Sequence, residues 1–91
     1  MNKQRRTILS KKVAELETLK SQLESIKEDV EGVHDEEEDA FDSMPESLQD
    51  SERGENMQEN IDNLDDVCYN IDDIISNIED VVDTLNEVIE R

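Results

Sequence analysis

From Ile61 onward the chain divides into consecutive seven-residue units: Ile61 to Val67 (IDNLDDV), Cys68 to Ile74 (CYNIDDI), Ile75 to Val81 (ISNIEDV) and Val82 to Val88 (VDTLNEV), with Ile89 opening a fifth. With the first residue of each unit called a, the a positions are Ile61, Cys68, Ile75, Val82 and Ile89, and the d positions are Leu64, Ile71, Ile78 and Leu85. Such spacing lines up on one face only if the segment is helical. Met57 carries the seam one step further back. Position g is apolar throughout (Val67, Ile74, Val81, Val88), whereas f is always acidic (Asp66, Asp73, Asp80, Glu87). Three apolar positions in seven make a stripe wider than a two-stranded seam requires.

The first half carries a narrower version of the same signal. Leu9, Leu16, Leu23 and Val30 share one heptad position and Leu19, Ile26 and Val33 the other, close to a strict a/d pattern that Ile8 and Val13 widen only near its start. The pattern weakens after Val33, although Ala40 stays in phase and Phe41 and Met44 flank it. Gly32 costs about 1 kcal/mol of helix propensity relative to Ala. These features predict a first helix over about residues 3–43.

The connector, residues 44–54, holds the only proline and one of the two glycines. Pro45 biases Met44 away from the helical region and so ends the first helix. Ser43 with Glu46 three residues on fits a capping box for a short helical turn, and Ser51 before Glu52 fits the N-cap of a second helix over about residues 55–90. Two helices of similar length, roughly 60 Å each at 1.5 Å per residue, predict an all-α antiparallel coiled-coil hairpin. Charge agrees with that direction. Residues 1–27 hold seven bases and three acids, whereas residues 28–91 hold two bases and 24 acids. Antiparallel packing brings Lys3, Arg5, Arg6, Lys11, Lys12, Lys20 and Lys27 beside the acidic end of the second helix. Exposed pairs of this kind contribute at most about 1 kcal/mol each, so they choose orientation rather than explain stability.

The second helix offers more apolar surface than the first can cover, and Ile at both a and d favours more than two strands. The surplus predicts a homodimer with a four-helix core built on Val67, Ile74, Ile78, Val81, Leu85 and Val88.

With 27 acidic and 9 basic residues among 91, the net charge is −18. That sign disfavours direct binding to nucleic acid or to an anionic membrane. The longest apolar run, Val67-Cys68-Tyr69, is too short to span a bilayer, and Met1 to Arg6 lacks the apolar core of a signal peptide. A cytoplasmic location is therefore expected. Cys68, the single cysteine, reads as a packed reduced thiol, or as a disulfide across a symmetric dimer.

No enzymatic constellation emerges, and no cofactor is expected. His34 is the only imidazole, without a serine, cysteine or lysine placed beside it as an activated nucleophile. His34 and Glu38 share a helix face at metal-compatible spacing, but a lone His within HDEEED reads as a solvated residue. The acidic runs lack the glycine of a calcium loop, so no metal site is expected.

The acidic middle is the strongest functional candidate. Residues 28–59 contain 14 acids and one base, Arg53, for a net of −13. Folding back concentrates this charge at the hairpin's tip, at about one net charge per 2 Å of helix axis, close to the ~1.7 Å phosphate spacing of duplex DNA. The tip carboxylates singled out are Glu36, Glu37, Glu38, Asp39, Asp42, Glu46, Asp50 and Glu52. Two readings stand side by side: a solvated acidic surface, or a mimic that occupies a basic nucleic-acid channel. Phe41, Met44, Leu48 and Arg53 likewise read either as a small cap core or as an apolar contact patch inside a charged rim.

The stretch Glu38 to Met57 (EDAFDSMPESLQDSERGENM), followed by Ile61-Asp62-Asn63-Leu64, resembles small acidic proteins of phages and prophages with a MPESLQxSERG-like connector between two helices. The resemblance is close over about residues 36–67 and extends elsewhere only as helical pattern. It implies a phage-encoded accessory protein, a setting in which small acidic inhibitors of host DNA-acting or defence enzymes recur. It also implies that Pro45, Leu48, Ser51 and Arg53 form a defined cap. The functional expectation is an inhibitor that docks on a basic surface of a protein partner in the host cytoplasm. The alternative is a coiled-coil scaffold or assembly chaperone using the apolar face of the second helix.

Overall fold

A computed structural model describes residues 1–91, and it is all-helical: α1 (Lys3–Asp42), α2 (Glu46–Gln49) and α3 (Glu52–Glu90). Asn2 opens α1 as its N-cap, its side-chain Oδ1 accepting from the Arg5 amide at 2.9 Å. At the other end the Met44 amide donates to the Phe41 carbonyl at 3.1 Å, a tightened last turn, before Pro45 takes an extended conformation (φ −57°, ψ 144°). Pro45 is itself the residue that precedes α2, which has no side-chain cap. The expected Ser43–Glu46 capping box is therefore not formed, because Pro45 takes the N-cap position and leaves Ser43 two residues too early to face the first turn.

Ser51 caps α3. Its Oγ accepts from the Gly54 amide at 3.3 Å and donates to the Leu48 carbonyl, and its own carbonyl receives the Glu55 amide at 2.9 Å. This cap starts α3 at Glu52, three residues before the boundary read from the heptads.

The chain forms two compact units, Met1–Ser25 with Ile71–Arg91 (unit 1) and Ile26–Asn70 (unit 2). Unit 1 pairs the start of α1 with the end of α3 and holds the buried apolar residues Ile71, Ile75 and Val82. Leu9, Val13, Leu16 and Leu23 of α1 are half-buried there. Lys20 Nζ reaches Glu79 Oε1 at 3.2 Å across the pair, and that carboxylate raises the Lys20 pKa. In unit 2 the helices run antiparallel on either side of the connector. His34 meets Asp65, and three residues further along α1 Glu37 meets Asn60, further back along α3.

One sequence expectation is corrected in both units. Leu9, Leu16, Leu23 and Val30 do face inward, but Leu19, Ile26 and Val33 stay 49%, 50% and 55% exposed. The second inward row is Arg6, Val13, Lys20, Lys27, His34 and Phe41. Turning α1 this way sets Lys20 and His34 against the acidic e positions of α3, Glu79 and Asp65. Their long or flat side chains bury an apolar body while the polar end reaches a carboxylate.

Candidate acidic interface

Gln49, the last residue of α2, ties the connector together. Its Nε2 donates to the carbonyls of Phe41 and Met44, both at 3.1 Å, satisfying the Met44 carbonyl and adding a second bond to the Phe41 carbonyl, which already accepts from the Met44 amide. Gly54 completes the arrangement: it is buried, and a Cβ there would lie 2.1 Å from the Gln49 carbonyl oxygen. Only glycine allows the first turn of α3 to pass so close to α2. Neither residue stands out in the sequence. Gly54 reads there as turn composition, and the one available signal is its place three residues after the Ser51 cap.

Around this frame Glu36, Glu38, Asp39, Asp42, Glu46, Asp50 and Glu52 are all exposed. Glu37 differs. It is half-buried, and its Oε2 accepts from Asn60 Nδ2 at 2.9 Å, so it braces α1 against α3. Phe41 and Met44 are half-buried, whereas Leu48 and Arg53 are exposed. The connector thus shelters two of its three apolar residues and leaves Leu48 among carboxylates.

The expectation of a solvated His34 is overturned by the structure. Its side chain is 15% exposed, with Nδ1 3.0 Å from Asp35 Oδ1 and Nε2 3.7 Å from Glu38 Oε2 and 3.0 Å from Asp65 Oδ1. Asp65 sits close to Nε2 but off its N–H direction, so that contact is electrostatic rather than an aligned hydrogen bond. The bond to Asp35 raises the His34 pKa above its ordinary value. Burial opposes this, and the charges of Asp65 and Glu38 add to it. The heptad step from Lys20 through Lys27 to His34 is the sequence signal for this placement.

Of the residues singled out for self-association, Val67, Ile74 and Val81 are 40%, 45% and 48% exposed. Ile78, Leu85 and Val88 are half-buried. Cys68 is a half-buried thiol that forms no disulfide. No three His, Cys, Asp or Glu side chains are arranged to hold a metal ion. No helix is long and apolar enough to cross a membrane. Comparison of the chain with family models, with curated proteins and with solved structures finds no match.

Proposed function

We propose that this chain is a non-enzymatic acidic interaction protein, and that unit 2 docks on a basic, nucleic-acid-binding surface of a protein partner by charge mimicry. The observation that carries this reading is the exposure of seven of the eight singled-out carboxylates around a connector braced by Gln49, Ser51 and Gly54. A braced array of negative charge loses little conformational entropy on binding, unlike a flexible acidic tail. The resemblance to small acidic phage proteins supports a phage-encoded inhibitor of a host defence or DNA-acting enzyme, working in the host cytoplasm. The surplus apolar face of α3 supports a homodimer with a four-helix core centred on Ile74, Ile78, Val81 and Leu85.

Capture from a bacterial lysate on the immobilised protein tests the reading. Nucleic-acid-binding proteins are expected on the resin at low salt and should be lost steeply as salt rises. A variant combining Glu36→Lys, Asp39→Lys, Asp42→Lys and Glu46→Lys should retain its helical circular dichroism and capture none of them. Unchanged capture by that variant would refute the mimic.

The half-exposed Val67, Ile74 and Val81 favour a second reading, a scaffold or assembly protein that engages a foreign helix through α3. Under it, Ile74→Glu abolishes capture and the four charge reversals leave it intact.

A further inference from the structure

The residues flanking the α3 seam in unit 1 differ in kind from side to side. Position e carries Glu79, which takes the ion pair from Lys20. On the opposite side, positions d, g and c of α3 from Ile71 to Val88 hold no charged residue, although 40% of the chain is charged. The g residues Ile74 and Val81 are exposed, and Asn77 and Thr84 at c edge them with uncharged polar groups. A shallow depression lined by Asp80, Val81, Thr84 and Leu85 lies on this flank. In an antiparallel pair the g positions of both helices face the same side, so Leu19 of α1, also exposed, widens it.

Unit 2 has exposed apolar residues too, Ile26, Val33 and Val67, but their setting is different. Unit 2 holds two bases and 17 acids, net −15, and Asp29 and Glu36 edge its α1 row. Unit 1 holds seven bases and ten acids, net −3. Its α1 segment has six bases to three acids and its α3 segment a single base to seven acids, so a two-fold axis parallel to the helices, which sets α1 over the partner's α3, brings opposite signs to the rim.

We propose that a second copy of this chain covers the uncharged flank of α3 in unit 1, and that unit 2 stays outside the interface. This rests on the self-association proposed above and confines it to unit 1. The dimer then presents two acidic units, and a partner with two basic sites gains avidity without new contacts.

Light scattering on the full chain at micromolar concentration should give twice the 10.5 kDa chain mass. Val81→Glu should weaken association on the order of 100-fold, whereas Val33→Glu and Val67→Glu should leave it unchanged. Should Val81→Glu also lose its helical signal, Thr84→Arg at the exposed edge replaces it with the same expectation. A monomeric wild-type chain would overturn self-association itself. A dimer that survives Val81→Glu and Thr84→Arg but is lost in Val33→Glu or Val67→Glu would overturn only the site, leaving self-association in place.

Discussion

The two units are built from the same two helices and the same heptad step, yet they divide cohesion and charge between them. Unit 1 carries all three buried apolar residues, Ile71, Ile75 and Val82, and a net charge of −3. Unit 2 buries only Gly54 and carries −15. Its inward apolar row is only half-buried (Val30, Phe41, Met57, Ile61 and Leu64), and polar devices reinforce it: Gln49 on the end of α1, the Ser51 cap, the Glu37–Asn60 bond and the His34 cluster. That leaves its carboxylates free to face outward.

The sharpest way to break the comparison is truncation. Ile75→Ala in unit 1 should cost about 2–4 kcal/mol in a thermal or urea melt. The same truncation at half-exposed Leu48 in unit 2 should cost under about 0.5 kcal/mol. Equal losses would mean that cohesion is not concentrated in unit 1. Next in size is Gly54→Ala. The atoms in the way are backbone and cannot swing aside, so about 1–3 kcal/mol of stability should be lost, against the usual gain from replacing a helical glycine. Gly32 supplies the control: nothing lies within 4 Å of a Cβ there. Gly32→Ala should therefore stabilise by up to about 1 kcal/mol.

The smallest expected effect is a titration. His34 has a raised pKa in the folded chain, so its contribution is fully present below about pH 6.5, where the unfolded chain is also protonated. It is lost as pH rises through the folded value. Asp35 and Glu38 on α1 and Asp65 on α3 are the charges that face it. The difference in melting temperature between wild type and His34→Gln should shrink from pH 6 to pH 8. A difference independent of pH would show that the cluster holds no extra proton.

Much of this fold is legible in the sequence because α3 repeats without a break: its a and d residues turn inward, as the heptads require, while Val67, Ile74 and Val81 at g stay exposed. The Ser51 cap is legible too, since a serine ahead of Glu52 has few other uses. The rotation of α1 is not. Its apolar residues fill two candidate rows, and the choice between Leu19-Ile26-Val33 and Lys20-Lys27-His34 depends on the acids of the facing helix, which local periodicity does not contain. Gly54 is hidden for a related reason, because a close approach between α2 and α3 is a fact of three dimensions. Of the candidate site, the charge is plain from composition, while Glu37 turns inward as the next step of the Leu9-Leu16-Leu23-Val30 row, and its partner Asn60 lies 23 residues away.

The division of labour between the units is tested most directly by competition at the acidic surface. A partner captured by the wild-type chain is challenged with increasing duplex DNA at constant ionic strength, and the fraction released is measured. Charge mimicry predicts complete release, because DNA and unit 2 occupy the same basic groove. A partner that remains bound at saturating duplex DNA would contradict the account.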